Sequence, residues 1–224
     1  MNPRLSAVLL FVSASWPACA QEREEVVVVG RGLAARPGDA AFDVVSIDAT
    51  RIAATAADRL EGVLADVAGL QGFRRSDSRS ANPTSQGISL RGIGGNASSR
   101  ALLILDGVPQ TDPFGGWVPF PAYATDRLGL IRVTRGGGSG YFGPGALAGT
   151  VELESSDPAL QPPLTAAVAY GSRNSIDMSG SGLLTRGRGF ATLSAAYARG
   201  DGFVPTVAES RGLADRAAPY EQFS

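Results

Sequence analysis

The sequence predicts an α+β domain, a small mixed sheet with short helices, followed by the start of an antiparallel transmembrane β-barrel. Three observations carry this. Between residues 42 and 155, short strand patterns are interleaved with one amphipathic helical pattern. Beyond the Pro-containing connector at 157–163 the helix signals vanish, and segments of about ten residues alternate between apolar and polar positions. These segments are Gly-rich and separated by turns such as Gly171-Ser172-Arg173-Asn174 and Thr185-Arg186-Gly187-Arg188-Gly189.

The elements follow in order. Residues 1–20 read as a signal peptide: Arg4 supplies the positive region, residues 5–16 are apolar but too short to span a bilayer, and Ala18-Cys19-Ala20 is a small-x-small cleavage pattern that makes Gln21 the first mature residue. Lipidation of Cys19 would want an aliphatic residue three positions earlier, where Trp16 stands, so ordinary cleavage is the better reading. In the segment 21–41, Glu24 and Glu25 precede four β-branched residues, Val26, Val27, Val28 and Val29. β-Branching favours extended backbone. The run suits either a buried strand or, on the Gly- and Pro-containing tether that follows, addition to the sheet edge of a partner.

Residues 42–47 form a strand candidate. Thr55 and Asp58 have the spacing of a capping box, and Leu60, Val63, Leu64 and Val67 then recur on one helical face up to Gly69. Strands are expected at 70–73, 88–91, 101–105, 131–133 and 150–153, with polar loops at 74–87 and 111–118. In the second region, Ile176, Met178, Gly180, Gly182 and Leu184 share one face and Asp177, Ser179 and Ser181 the other. Ala191, Leu193, Ala195 and Tyr197 repeat the pattern, and 164–170 repeats it more weakly. Tyr170 and Tyr197 stand near strand ends, where a membrane interface would lie. Periodicity alone leaves a soluble meander open.

Composition narrows the chemistry. With 20 basic and 21 acidic residues the charge is balanced, so there is no basic footprint for nucleic acid. Every basic residue is Arg, which we read as base-composition bias. There is no His, and signal cleavage removes the single Cys, so His- or Cys-based triads and zinc or haem sites are excluded. No catalytic residue, cofactor or metal site is expected.

Four motifs between 88 and 153 resemble the plug domain of TonB-dependent outer-membrane receptors. Ser89-Leu90-Arg91-Gly92-Ile93-Gly94 is similar to that family's (I/L)RG(I/F)G segment, and Leu103-Ile104-Leu105-Asp106-Gly107-Val108-Pro109 to LLDGVP. Leu130-Ile131-Arg132-Val133-Thr134-Arg135-Gly136 resembles IERVEVLRGP. Tyr141-Phe142-Gly143-Pro144-Gly145-Ala146-Leu147-Ala148-Gly149-Thr150-Val151 resembles LYGSGAIGGVINI. They stand in the family's order and spacing, and the segment 25–29 fits its TonB box. The family's Glu residues in IERVEV are replaced here by Gly129 or its neighbour and by Thr134, and the Pro after Arg-Gly by Gly137. Plug-to-barrel ion pairs made by those Glu residues therefore have no counterpart at these positions.

The resemblance implies a plug over 42–155 and the first strands of an incomplete barrel over 164–224. The family's barrel has roughly 22 strands; three or so fit here, and 202–224 reads as loop with no closing strand. It further implies that Glu25, Val26, Val27, Val28 and Val29 pair with periplasmic TonB by strand addition. Arg91, Gly92, Asp106, Gly107, Arg135, Gly136, Gly143, Gly145 and Gly149 would be structural plug positions. Arg74, Arg75, Asn82, Phe114 and Trp117, on the two polar loops, would face substrate. The location implied is the cell outer membrane and the substrate a small molecule or metal chelate, with a ferric siderophore as the family default. A soluble periplasmic plug-like binding or signalling module is the alternative.

Two motifs are decoys. Gly138-Ser139-Gly140-Tyr141-Phe142-Gly143 spells G-x-G-x-x-G, but Pro144 and Gly145 leave no helix for a dinucleotide. Asn96-Ala97-Ser98 matches a glycosylation sequon by accident.

Overall fold

Three β-branched residues, Val44, Val45 and Ile47, build the first strand. In the computed structural model, which describes residues 41–73, 78–79, 86–93, 100–204 and 206–224, Asp43–Asp48 forms β1 and turns Val45 and Ile47 toward the core. Asp48 then caps helix α1, Ala49–Ala54, its carboxylate accepting from the Arg51 amide at 2.8 Å. This corrects the capping-box expectation. Thr55 ends α1 instead of starting the next helix, and its hydroxyl donates to the Arg51 carbonyl at 2.8 Å. Helix α2 is the short Leu60–Leu64, with Arg59 at its N-cap and no side-chain cap bond. Asp is a stronger N-cap than Thr, and Asp48 is the last residue of β1, directly before α1. The apolar stripe is unaffected: Leu60, Val63, Leu64 and Val67 are all buried.

Strands β2 (Leu70–Phe73) and β3 (Gly87–Leu90) pair antiparallel as a two-stranded ribbon. Four more strands, β4 (Ala101–Leu105), β5 (Val108–Pro109), β6 (Leu128–Arg135) and β7 (Gly149–Ser155), join β1 in a sheet of order β1-β6-β7-β4-β5. Only the β4–β7 pair is parallel, so the sheet is mixed. One face packs Leu103, Ile131, Val133, Val151 and Leu153 against the α2 stripe, Phe120 and Tyr123. On the other face Leu102 and Ile104 meet Ala146 and Phe142. The G-x-G-x-x-G decoy spans α3, Ser139–Phe142, a single turn followed by the 3-10 turn Pro144–Ala146.

Beyond the 3-10 turn Pro158–Leu160 lie β8 (Leu164–Gly171), β9 (Ser175–Arg186), β10 (Gly189–Gly200) and β11 (Tyr220–Phe223). They form a separate antiparallel sheet of order β11-β10-β9-β8, open at both edges. Strand β11 corrects the expectation that 202–224 is loop throughout. Its four residues pair with Tyr197 to Gly200 of β10. A run that short has too few positions to display a period, and only its partner strand reveals it.

Candidate functional site

The four-stranded sheet is turned inside out. Antiparallel partners project to the same side, so the register puts Leu164, Val168, Tyr170, Met178, Leu184, Leu193, Tyr197 and Phe223 on one face. That face looks away from the α+β domain, and its large side chains are bare: Leu164 is 75% exposed and Leu193 77%. The opposite face, with Thr165, Asp177, Ser181 and Ser194, is turned toward the domain, and Ser181 is only 5% exposed. A water-soluble sheet does the reverse, because each large apolar side chain moved out of water contributes about 1.5–3 kcal/mol. A contiguous apolar surface of this kind marks contact with lipid or another apolar partner. Among the described residues no helix is long and apolar enough to cross a membrane.

The polar face meets the domain through two carboxylates. Asp177 on β9 receives Arg79 Nη1 at 2.7 Å and lies 3.5 Å from Arg59 Nη2. Arg59 Nη1 also donates to Gln222 on β11 at 3.4 Å and to Ser78 at 3.2 Å. From the domain side, Asp126 accepts from Thr165 of β8 at 3.0 Å and from Ser181 of β9 at 2.9 Å. Ser194 of β10 donates on to Ser181 at 3.2 Å. Arg59, Tyr123, Asp126, Thr165, Asp177 and Ser194 line a cleft of about 390 Å³ between domain and sheet. Burial pushes the Tyr123 hydroxyl up to about 12, and it donates to Gln110 at 3.4 Å. Sequence reasoning singled out none of Arg59, Arg79 or Asp126 and read Asp177 only as part of a polar face. The available signal was a charged residue at the start of a face otherwise lined by Ser179 and Ser181.

The motif residues build tight backbone. Asp106 and Gly107 both have positive φ, +48° and +84°, and join the hairpin pair Leu105 and Val108. Two left-handed residues at the centre of a two-residue hairpin make the turn for which Asp-Gly is favoured. Asp106 also ties this hairpin to the end of β7: its carboxylate accepts from the Ser155 amide at 2.8 Å and the Ser155 hydroxyl at 2.6 Å. Arg91 and Gly92, at +58° and +69°, make a similar turn between Leu90 and Ile93, and the Arg91 amide donates to Gly69 at 2.8 Å. The Arg91 guanidinium lies over Gly136, and Arg135 pairs with Asp43 at the start of β1. Gly149 opens β7 at φ +143°, where a Cβ would stand 2.0 Å from the Thr134 carbonyl oxygen. Gly143 and Gly145 flank Pro144 at the 3-10 turn.

The two polar loops are brought together, since the Val118 amide donates to Gln86 at 2.8 Å. Phe114 is at the second loop's tip and 98% exposed, while Trp117 is half-buried. Asp112 shapes that loop by accepting from the Phe114 amide at 3.1 Å. Arg74, Arg75 and Asn82 lie outside the described residues, as do Glu25 and Val26 to Val29 and the whole leader. Among the described residues no group of three or more metal-ligating side chains stands together.

A family model for the TonB-dependent receptor plug domain matches residues 36–150, more than half of the chain. No curated protein matches the sequence. Solved structures match in fold. The ferric yersiniabactin uptake receptor FyuA from Yersinia pestis is 18% identical with a TM-score of 0.50, over 73% of this chain and 25% of that one. The ferric-catecholate import receptor Fiu from E. coli K12 is 18% identical with a TM-score of 0.53, over 74% and 22%. BauA, the ferric preacinetobactin receptor from Acinetobacter baumannii, is 20% identical with a TM-score of 0.52, over 73% and 23%. The chain thus spans about a quarter of the length of these receptors. With the plug motifs folded into their turns and the family model matched across them, this chain belongs to the TonB-dependent receptors, through their plug domain.

Proposed function

We propose that this chain serves energy-coupled uptake of a scarce nutrient across the outer membrane, and that the nutrient is a ferric siderophore. The observation that carries the reading is the inverted four-stranded sheet beside a plug, apolar side bare and polar side toward the domain. Outer-membrane strands alternate in this way around a polar interior. The short turn between β9 and β10 and the longer connection 201–219 at the opposite end fit periplasmic and extracellular ends respectively. In this reading residues 1–20 direct export. Glu25, Val26, Val27, Val28 and Val29 add as a strand to periplasmic TonB, and substrate meets Arg74, Arg75, Asn82, Phe114 and Trp117 on the loops joined at Gln86 and Val118. The named substrates of FyuA, Fiu and BauA, all ferric chelates, support the substrate class. The soluble-module alternative would leave the β8–β11 apolar face in water, which the hydrophobic effect opposes.

Val27→Pro tests the reading. Proline removes a backbone donor and blocks strand addition. Cells carrying the full chain should take up radiolabelled iron from at least one of ferric yersiniabactin, a ferric catecholate and ferric preacinetobactin. Uptake should fall to background in the variant at unchanged outer-membrane abundance. Wild-type uptake of none of the three would remove the ferric-siderophore assignment. Uptake that survives Val27→Pro would remove the TonB box.

A further inference from the structure

We propose that the β9–β10 turn binds the phosphate of an anionic glycerophospholipid, with Arg186 and Arg188 on the headgroup and Leu164, Leu184 and Leu193 beside the acyl chains. The membrane comes from the transport reading; the site comes from the sheet's own charge pattern. Arg186 closes the hairpin opposite Gly189, and Gly187 and Arg188 form a two-residue turn between them. Gly187 has φ +60°, the left-handed backbone that a glycine supplies at the first central position of such a turn. A turn this short keeps both guanidinium groups within a side-chain length of the strand ends. Both arginines are exposed, and among the described residues neither is joined to a carboxylate.

This corner of the sheet is divided as an anionic lipid is, charge at one end and apolar surface behind it. Arg186 shares the bare face of β9 with Leu184. Gly182 pairs with both Leu164 and Leu193 and sets them level on that face. All three leucines are more than 70% exposed. Residues 178–200 contain no Asp or Glu. The one carboxylate of β8–β10, Asp177, lies on the opposite face and at the far end of β9. The other end of the bare face differs, because Arg199 there stands across from Glu221, which also accepts from Tyr197 at 2.9 Å. That end carries its own counter-charge; the turn does not. Gly189, level with Arg186, is ten residues from Arg199. At about 3.3 Å per residue and a strand tilt of about 40°, the two arginines stand about 25 Å apart along the membrane normal, the height of a barrel's apolar band. Arg186 is thus at headgroup level, where a guanidinium can give a phosphate two parallel N–H bonds.

Flotation of the full chain with lipid vesicles tests this. Vesicles of phosphatidylcholine alone are compared with vesicles of phosphatidylcholine mixed with phosphatidylglycerol, at low salt. The wild type should bind both, and the mixed vesicles more tightly. Arg186→Gln/Arg188→Gln should lose about fivefold per arginine on the mixed vesicles and nothing on phosphatidylcholine. Arg199→Gln removes one charge at the other end and should change mixed-vesicle binding by less than about twofold. Equal wild-type binding to both vesicles, an unchanged double variant, or a loss in Arg199→Gln as large as that per turn arginine overturns the site and leaves the transport reading standing. Release from the mixed vesicles by inorganic phosphate at constant ionic strength also overturns it, since the turn would then hold a soluble anion. A wild type that binds neither vesicle removes the membrane reading and the site together.

Discussion

The plug and the four-stranded sheet obey one alternation rule and reach opposite results. In the plug, Ile47, Leu103, Val133 and Val151 point inward and are at most 1% exposed. In β8–β11 most large apolar side chains point outward, and the inward face carries Thr165, Asp177, Ser181 and Ser194 among residues such as Ala198. The plug hides apolar side chains from water. The sheet leaves them bare and turns Thr165, Asp177, Ser181 and Ser194 toward the plug domain. Alternation therefore says that a strand has two different faces, and the surroundings decide which face is buried.

That comparison can be broken in water and in lipid. Leu103→Ala, at a position with 0% exposure, should destabilise the plug by about 2–5 kcal/mol. Denaturant unfolding of the full chain in micelles, followed by a plug-specific probe, should register it. A loss below about 1 kcal/mol would mean that the core around β4 relaxes around the void. Leu193→Arg should cost about 2–4 kcal/mol when the chain folds into lipid vesicles. A water-facing Leu193 would give a change within about 0.5 kcal/mol, and that result would return the sheet to a soluble meander. The smallest effect concerns Tyr123. Its folded pKa of about 12 lies above its ordinary value of 10, so the folded state keeps a proton that the unfolded chain releases between them. Its contribution is complete below about pH 10 and is lost as pH rises toward 12. Tyr123→Phe should flatten that part of the alkaline stability profile, and an unchanged slope would place the titrating group elsewhere.

Legibility differed between elements for physical reasons. The apolar run at 101–105 was readable because a strand buried on both faces needs nearly every position apolar. The Asp106-Gly107 turn was readable because left-handed backbone at two successive positions admits few residue pairs. Thr55 misled because a capping box constrains only two positions, whereas the Asp48 cap depends on where β1 ends. β11 was invisible because its four residues acquire meaning only beside β10. The Arg59–Asp177 contact joins residues 118 positions apart and requires helix α2 to be set against a particular strand face; no local pattern encodes such a pairing.

The sequence alone determined the division into a mixed α+β plug and alternating strands, the turn at Asp106-Gly107, and the absence of His and Lys chemistry. Each of these is set by neighbouring residues through backbone sterics, side-chain periodicity or composition. Only the tertiary structure decided which face of β8–β11 is bare, that Gln86 and Val118 meet, and that Asp126 and Asp177 link the plug domain to the four-stranded sheet. Those outcomes depend on surfaces brought together from distant parts of the chain, where burial and charge pairing act through space and sequence spacing carries no record of them.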